Sequence, residues 1–450
     1  MHPAGNLTNR WLQLILLSTF LTASAGSPTA QSPKKAPAKP SASSTPHEKE
    51  DQLAPLLQQA NEAIDKMNFA AAIDPLQKYI VQRPEEPYPH FQLGYAFSGL
   101  KRLDDAKNEF LRAIALDPKM AAAHLNLGLV LMDSDPAAAA ESFRHAAELQ
   151  PTESRPRFLA GFCLEHTGKL PEAVEQYRAA IGLSPKEYES HFALGRVLLR
   201  IGDATGSEEQ FRAAVAARAD SAPAKLGLAS ALLTQKKYQA ASDELAEYLK
   251  LAPEDRAAHF DRASALLYLS KYDDALAELD LSTAGSAVAA DKLKMRGEIF
   301  MQQKKWKEAG DTLKQALSLA PQDFEIAEWI GHTDIELKQY AEAAGILVQV
   351  HDRNPQDADT LRDLADAFFL NENYGQALEA MDRLAKLEPP KPGSWFVRAI
   401  CYDKLSRKAE AIEAYQKFLD LDGGKHDTQD FQARNRIPFL QKELGQPRKK

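Results

Sequence analysis

Residues 91–118 read FQLGYAFSGLKRLDDAKNEFLRAIALDP, and this phrase returns in looser form along most of the chain. Residues 158–185 restate it as FLAGFCLEHTGKLPEAVEQYRAAIGLSP. A third version over residues 125–151 begins LNLGLVLM and ends AAAAESFRHAAELQP. Restatement at a fixed interval indicates a stack of similar structural units rather than one globular core.

The prolines that close the copies give the interval. They fall 33 or 34 residues apart, or at twice 34, at Pro84, Pro118, Pro151, Pro185, Pro253, Pro321, Pro355 and Pro389. Ala219 and Ala287 occupy the two skipped places, so the phase continues where the proline is lost. The count gives eleven units over residues 53–425, which begin at residues 53, 87, 121, 154, 188, 222, 256, 290, 324, 358 and 392.

Apolar residues inside a unit have helical spacing. With positions counted from the start of the unit, the second unit has apolar or small residues at positions 7, 8, 11, 20, 24 and 27: Leu93, Gly94, Phe97, Ala106, Phe110 and Ala113. Each triplet follows one face of a helix, and the polar stretch between them suits a tight turn. We expect the acidic residue after the closing proline (Asp255, Asp323 and Asp357) to cap the next helix. The chain is therefore predicted to be all-α.

These residues resemble the tetratricopeptide repeat, a 34-residue helix–turn–helix unit. The resemblance is clearest in unit two (Leu93, Gly94, Phe110, Pro118), unit four (Gly161, Ala173, Tyr177, Pro185) and unit eight (Gly297, Ala309, Pro321). It covers about four-fifths of the chain and implies a right-handed superhelical solenoid. Each hairpin buries too little surface to be stable alone, so we expect stability to come from neighbouring units.

Two segments precede the repeats. Arg10 stands before the apolar run WLQLILLSTFLTA (residues 11–23), and Ala23-Ser24-Ala25 offers a small-residue cleavage site. This pattern is typical of a secretory signal peptide, and the run is shorter than the ~20 residues that span a bilayer. We therefore predict a signal peptide at 1–25, no membrane span after its cleavage, and a disordered Pro/Ala/Ser/Lys linker at 26–52. The expected location is periplasmic or secreted, in a bacterium.

The C-terminal segment carries an apolar stripe. Phe431, Ile437, Leu440 and Leu444 predict a helix at 426–445 that covers the open face of the last unit. Pro438 is expected to kink or divide this helix. Residues 446–450 form a short basic tail.

The search for chemistry finds no catalytic, phosphate-binding or metal-binding motif, and no cofactor or metal is expected. His90, His124, His191 and His259 share position 4 of their units. They are interpreted as packing residues, because helices packed roughly 8–10 Å apart keep them too distant to share a metal with bonds of ~2 Å. Cys163 and Cys401 lie far apart in the array, so unpaired buried thiols are predicted. The net charge of −8 disfavours nucleic acid as a partner.

The resemblance also implies a concave groove lined by positions 2, 5 and 9 of the first helices, and sometimes by positions 6, 12 and 13. In units two to five these positions hold an apolar strip with one arginine: Phe91, Tyr95, Leu125, Leu129, Phe158, Phe162, Phe192 and Arg196. Units eight to ten carry charged residues there, Lys294, Glu298, Glu328, His332, Arg362 and Asp366, with Trp329 nearby. Packing within the helices is the competing interpretation for the aromatic residues at position 5.

The predicted function is that of a non-catalytic scaffold that binds a protein or an extended peptide in the groove. Apolar anchors would supply affinity and charged units would fix register. The alternative is a structural component of the cell envelope that assembles as a homo-oligomer. The sequence does not identify the partner.

Overall fold

The computed structural model describes residues 46–283 and 289–445, with side-chain surroundings from residue 53 onward. The predicted signal peptide and basic tail lie outside the described residues. In the described ranges the chain forms 23 α-helices and no strand. The all-α solenoid predicted from the sequence is confirmed.

The helices alternate between the first and second helix of each unit, and a last helix follows. In chain order they are α1 Pro46–Asp65, α2 Phe69–Gln82, α3 Pro87–Gly99, α4 Leu103–Leu116, α5 Ala121–Leu131, α6 Pro136–Leu149, α7 Ser154–His166, α8 Leu170–Leu183, α9 Tyr188–Arg200, α10 Ala204–Ala217, α11 Ala222–Thr234, α12 Tyr238–Leu249, α13 Arg256–Tyr268, α14 Tyr272–Thr283, α15 Ala290–Gln302, α16 Trp306–Leu319, α17 Phe324–Glu336, α18 Tyr340–Arg353, α19 Ala358–Leu370, α20 Tyr374–Leu384, α21 Pro392–Lys404, α22 Lys408–Asp422 and α23 Asp427–Leu444.

The first helices of units two to eleven begin at the residue that starts the unit. Four of these starts have side-chain caps, in which Ser221, Asp255, Asp323 and Asp357 accept hydrogen bonds from backbone N–H groups of the following turn. The predicted caps are thus confirmed. Helix α1 begins earlier than its unit, at Pro46, so its first turns lie in the range 26–52 that the sequence assigned to a linker. Proline suits a first helical position because its missing N–H has no partner there in any case.

The turn between the two helices of a unit contains one left-handed residue at position 15. Only two units place glycine there, Gly168 and Gly202. Eight others hold a residue with a side chain at φ between 54° and 62°: Met67, Lys101, Lys236, Ser270, Lys304, Lys338, Glu372 and Ser406. Such a conformation is costly for a residue with a Cβ, so the packing of the two helices imposes it. Unit three, one residue shorter, has no such residue in its turn.

The core of each hairpin is a close contact between position 8 and position 24. A Cβ added to Gly161 would lie 2.9 Å from the ring of Tyr177, and one added to Gly94 would lie 2.9 Å from the ring of Phe110. Position 20 is fully buried in unit after unit, at Ala72, Ala106, Ala173, Ala241, Ala275, Ala309, Ala343, Ala377 and Ala411. Small residues at positions 8 and 20 therefore let the two backbones approach, and the larger residue at position 24 fills the gap.

Helix α23 covers the last hairpin through Ala433 and Leu440, which are buried, and Ile437, which is half-buried. Division of the helix at Pro438 and burial of the whole apolar stripe were wrong expectations. The helix runs through Pro438 without division, and Phe431 and Leu444 are 69% and 56% exposed. The face that meets the hairpin follows residues 433, 437 and 440, and Phe431 lies off that face while Leu444 lies at the helix end. Pro438 is tolerated because it is on the exposed side.

Candidate functional site

The first helices of the units line the inner side of the solenoid. Each helix packs on the next one along the chain, and first helices of successive units also contact each other, as in α3 with α5, α7 with α9 and α17 with α19. Second helices show no comparable mutual contact in the described residues. Since elements on the inside of a curved stack lie closest together, these contacts indicate that first helices such as α3, α5, α7 and α9 lie on the concave side.

Position 5 of the apolar strip belongs partly to the core. The rings of Phe91, Phe158 and Phe192 lie 5.8–5.9 Å from the position-24 rings Phe110, Tyr177 and Phe211 of their own hairpins. Leu125 is likewise half-buried against the core. These side chains therefore help to hold the hairpin together, and only part of each faces the groove.

Position 9 of the same units has different surroundings. Phe162 stacks at 4.2 Å on His166 of its own helix, and Tyr95 lies 5.9 Å from Phe69 of the preceding unit and 6.5 Å from Phe91. Leu129 is half-buried. These side chains also pack partly against the core, and they place one apolar residue on the inner helix in each of units two, three and four.

Arg196, predicted to face a ligand, is held by an ion pair. Its guanidinium donates at 2.8 Å to Glu165, a buried carboxylate in unit four that also accepts from Arg200 at 3.1 Å and from the Tyr177 hydroxyl at 3.1 Å. Burial and the nearby carboxylate raise the pKa of Tyr177 well above its ordinary value. Glu165 stands at position 12, which the resemblance counts among the groove positions, yet the sequence alone did not single it out.

Arg155 is a different kind of basic residue. It occupies position 2 of unit four, is half-buried, and has no acidic partner in the described part of the chain. Burial lowers the pKa of its guanidinium. The N-terminal half of the groove thus combines aromatic side chains with one arginine whose charge is not compensated.

In the C-terminal half the basic side chains are neutralised. Lys294 lies 3.0 Å from Asp323 and 2.5 Å from Glu325, with its ammonium 5.4 Å from the ring of Trp329. Arg362 donates to Asp359 and, at 3.0 Å, to Glu388. Lys294 and Arg362 are therefore engaged with acidic residues of this chain.

His332 is engaged in the same way. Its Nδ1 lies 3.0 Å from Asp363 in the next unit, and this hydrogen bond raises the pKa of the imidazole.

Several acidic side chains of this half keep no such partner. Asp261, Glu298 and Asp366 make no hydrogen bond or ion pair with any described residue. Burial, the largest cause, raises the pKa of Asp261 and of Glu298, and nearby carboxylates raise both further. Asp261 and Asp363 occupy position 6, which the resemblance gives only as an occasional groove position. The sequence did not predict either residue as part of the site.

The histidines at position 4 do more than fill space. In His90, His191 and His259 one ring nitrogen meets the carbonyl of the proline that closes the preceding unit, at 3.0–3.2 Å. The other nitrogen meets a side chain of the same hairpin: Glu109, Gln210 or Glu278. These buried imidazoles therefore fasten one unit to the next by hydrogen bonds. His124 is half-buried and makes only the bond to the proline carbonyl.

Cys163 and Cys401 are buried free thiols, as predicted. Burial raises the pKa of Cys163 to about 12 and that of Cys401 to about 11. Three or more metal-ligating side chains do not come together anywhere in residues 53–283 and 289–445. In the same part of the chain no helix has the length and apolar character needed to cross a membrane.

Comparison with known proteins agrees with the repeat. A profile of the tetratricopeptide repeat matches residues 91–154, 133–188, 166–223, 192–256, 226–290, 260–324, 330–392 and 363–426. A second tetratricopeptide repeat profile matches residues 300–359. No curated protein sequence matches the chain.

Several solved structures are similar. YrrB, described as a TPR protein with an unusual peptide-binding site, is 19% identical over 44% of this chain and 97% of its own, with a TM-score of 0.38. MamA from Desulfovibrio magneticus RS-1 is 20% identical over 38% of this chain and 97% of its own (TM-score 0.36). Naa15/Naa10 bound to HypK-THB is 14% identical over 86% of this chain and 66% of its own (TM-score 0.43).

Proposed function

The chain belongs to the tetratricopeptide repeat family, and on that premise we propose that it is a non-catalytic scaffold that binds a protein or an extended peptide along its groove. The observation that carries the proposal is the apolar surface at position 9 of units two to four, on the inner helices. An apolar surface that is concave and rimmed by polar residues usually marks a contact site. The aromatic anchors Phe162 and Tyr95 are of the kind that dominates binding energy at interfaces.

A peptide selection tests this proposal. A displayed library of random 32-residue peptides is selected on the immobilised full chain, and the affinity of the enriched peptides is measured in solution. The variant Leu129→Ala/Phe162→Ala should weaken their binding by about tenfold or more, because each truncation removes a central apolar contact. Helicity by circular dichroism should stay unchanged.

Leu111→Ala/Leu183→Ala is the matched control. It removes two exposed leucines from the second helices α4 and α8, which face away from the groove. The control should bind as the unchanged protein does. If both double variants lose affinity equally, or if no peptide is enriched, the groove is not a binding site.

We also propose that the scaffold works in the periplasm or outside the cell. The apolar run at residues 11–23 with its small-residue cleavage site supports this. Fusion of residues 1–52 to alkaline phosphatase, which is active only after export, tests it: the fusion should be active in an export-competent bacterium. A fusion that carries Leu14→Arg and Leu16→Arg should be inactive, because two charges interrupt the apolar run.

A further inference from the structure

The apolar strip and the unpaired carboxylates share one groove, and together they indicate the chemistry of the partner. We propose that the occupant is a polypeptide with an apolar segment followed or preceded by a lysine- or arginine-rich segment, the apolar part lying on units two to five and the cationic part on units seven to ten. This inference rests on the function proposed above and adds the sign and the place of the partner's charge.

Charge is distributed unevenly along the inner helices. At the groove positions of units seven to ten, acidic side chains far outnumber basic ones. The acidic residues are Asp261, Asp291, Glu298, Glu325, Glu328, Glu336, Asp359, Asp363 and Asp366, and the basic ones are Lys294, Arg362 and His332, the last of which is bound to Asp363. In units two to six the charges at the same positions balance, with Asp133, Glu165 and Glu189 against Arg155, Arg196 and Arg200.

Ion pairing within the described residues leaves part of this negative charge without a bound cation. Lys294 is taken by Asp323 and Glu325, and Arg362 by Asp359 and Glu388. Asp261, Glu298 and Asp366 make no hydrogen bond or ion pair in the described residues, although Lys294 attracts Glu298 and Arg362 attracts Asp366 from beyond hydrogen-bonding distance. Asp366 is exposed, but Asp261 and Glu298 are half-buried, and an ionised carboxylate in a partly buried place is unfavourable unless a cation or a hydrogen-bond donor meets it. A bound cationic segment would supply the positive charge that the described residues do not place against these carboxylates.

The N-terminal half of the groove carries an unpaired positive charge instead. Arg155 stands without an acidic partner beside the apolar strip in unit four, so a cationic segment in that half would be repelled. Like charges held close together disfavour the wrong placement by several kcal/mol in low-dielectric surroundings. The two halves of the groove therefore discriminate between the two ends of the same partner.

The burial that raises the pKa of Asp261, Glu298 and Glu328 supports this assignment. Each of these carboxyls is held in partly dehydrated surroundings where its charge is less stable than in water. Contact with an ammonium or guanidinium group would relieve that instability.

The peptides enriched by the full chain test the inference. We expect lysine and arginine to be concentrated at one end of the enriched sequences and apolar residues at the other. In Asp261→Asn/Glu298→Gln/Asp366→Asn the affinity of these peptides should fall by about tenfold at 50 mM salt, and the difference should shrink at 500 mM salt because exposed charges are screened.

The control variant is Glu172→Gln/Asp311→Asn/Glu379→Gln, which changes the net charge equally on the second helices α8, α16 and α20. Its affinity for the enriched peptides should stay within about twofold of that of the unchanged protein. Enriched peptides that are apolar but carry no excess of basic residues, or equal losses in the two triple variants, would overturn this inference while leaving the proposed function intact. Failure to enrich any groove-dependent peptide would overturn the proposed function itself.

Discussion

The guanidinium of Arg196 in unit five lies 2.8 Å from the carboxylate of Glu165 in unit four, across the boundary between two repeats. The same carboxylate accepts a hydrogen bond from the Tyr177 hydroxyl, which belongs to the core of unit four. One buried acidic residue therefore connects the core of a hairpin, the groove and the next unit.

Glu165→Gln should weaken this connection. The substitution keeps the shape of the side chain but removes the charge that two arginines share, and we expect the local free energy of unfolding to fall by about 1–2 kcal/mol. Because a solenoid opens unit by unit, the measurement is hydrogen exchange of the backbone amides in α7, α8 and α9. Glu175→Gln, on the exposed side of α8, should leave the exchange rates of these amides unchanged. Equal exchange rates in the two variants would contradict the connecting role of Glu165.

Gly161→Ala should destabilise unit four by about 1–3 kcal/mol. The added Cβ would lie 2.9 Å from the ring of Tyr177, which is fully buried and anchored at its hydroxyl, so the ring has no free space to move into. Gly182→Ala is the opposite case, since a Cβ there meets no atom within 4 Å. It should stabilise α8 by about 0.5–1 kcal/mol through helix propensity. Urea denaturation monitored by circular dichroism would show whether the two substitutions change the free energy of unfolding in opposite directions.

His191→Phe should cost about 1–2 kcal/mol although a larger ring suits position 4. The phenyl ring cannot donate to the carbonyl of Pro185 at 3.0 Å or pair with the amide of Gln210 at 2.8 Å, and both groups would lose a buried partner. His124→Phe should change stability by less than about 0.5 kcal/mol, because that half-buried imidazole makes one bond near solvent. Thermal unfolding of both variants checks this, and equal losses would return position 4 to a simple packing role.

Asp261→Asn should raise the melting temperature at pH 7. Burial raises the pKa of this carboxyl, so the folded chain binds a proton more tightly than the unfolded chain does. Stability is therefore gained as the pH falls through the raised pKa, and it is lowest when the group is ionised at neutral pH.

The neutral amide of the variant has no charge to lose. The difference in melting temperature between the variant and the unchanged protein should therefore shrink as the pH approaches about 4. Differential scanning calorimetry over that pH range measures it. Asp311→Asn, at an exposed position of α16, is the control. A melting temperature for Asp261→Asn that is lower at pH 7 would show that the carboxylate stabilises the fold.

Much of the fold was predictable because its signals are local and repeated. The interval of 34 residues, the helical spacing of small and large residues, and the capping aspartates each act within one hairpin. The unit starts from residue 87 onward coincide with the observed helix starts. The exceptions lie at the ends, where α1 extends back to Pro46 and α23 exposes Phe431, because an end unit has only one neighbour to determine its faces.

The sequence by itself determined the repeat, its phase and the inner positions, since these depend on residue spacing along one chain segment. Only the tertiary structure decided which inner charges are available. Arg196 and Lys294 looked like ligand-binding groups in the sequence, but carboxylates 29–31 residues away pair with them. Arg362 pairs with Asp359 in its own helix and with Glu388, which is 26 residues away. Asp261 and Glu298, in contrast, make no hydrogen bond or ion pair in the described residues. The physical reason is that ion pairing depends on distances of a few ångströms between side chains of different units, and the stacking of the hairpins sets those distances.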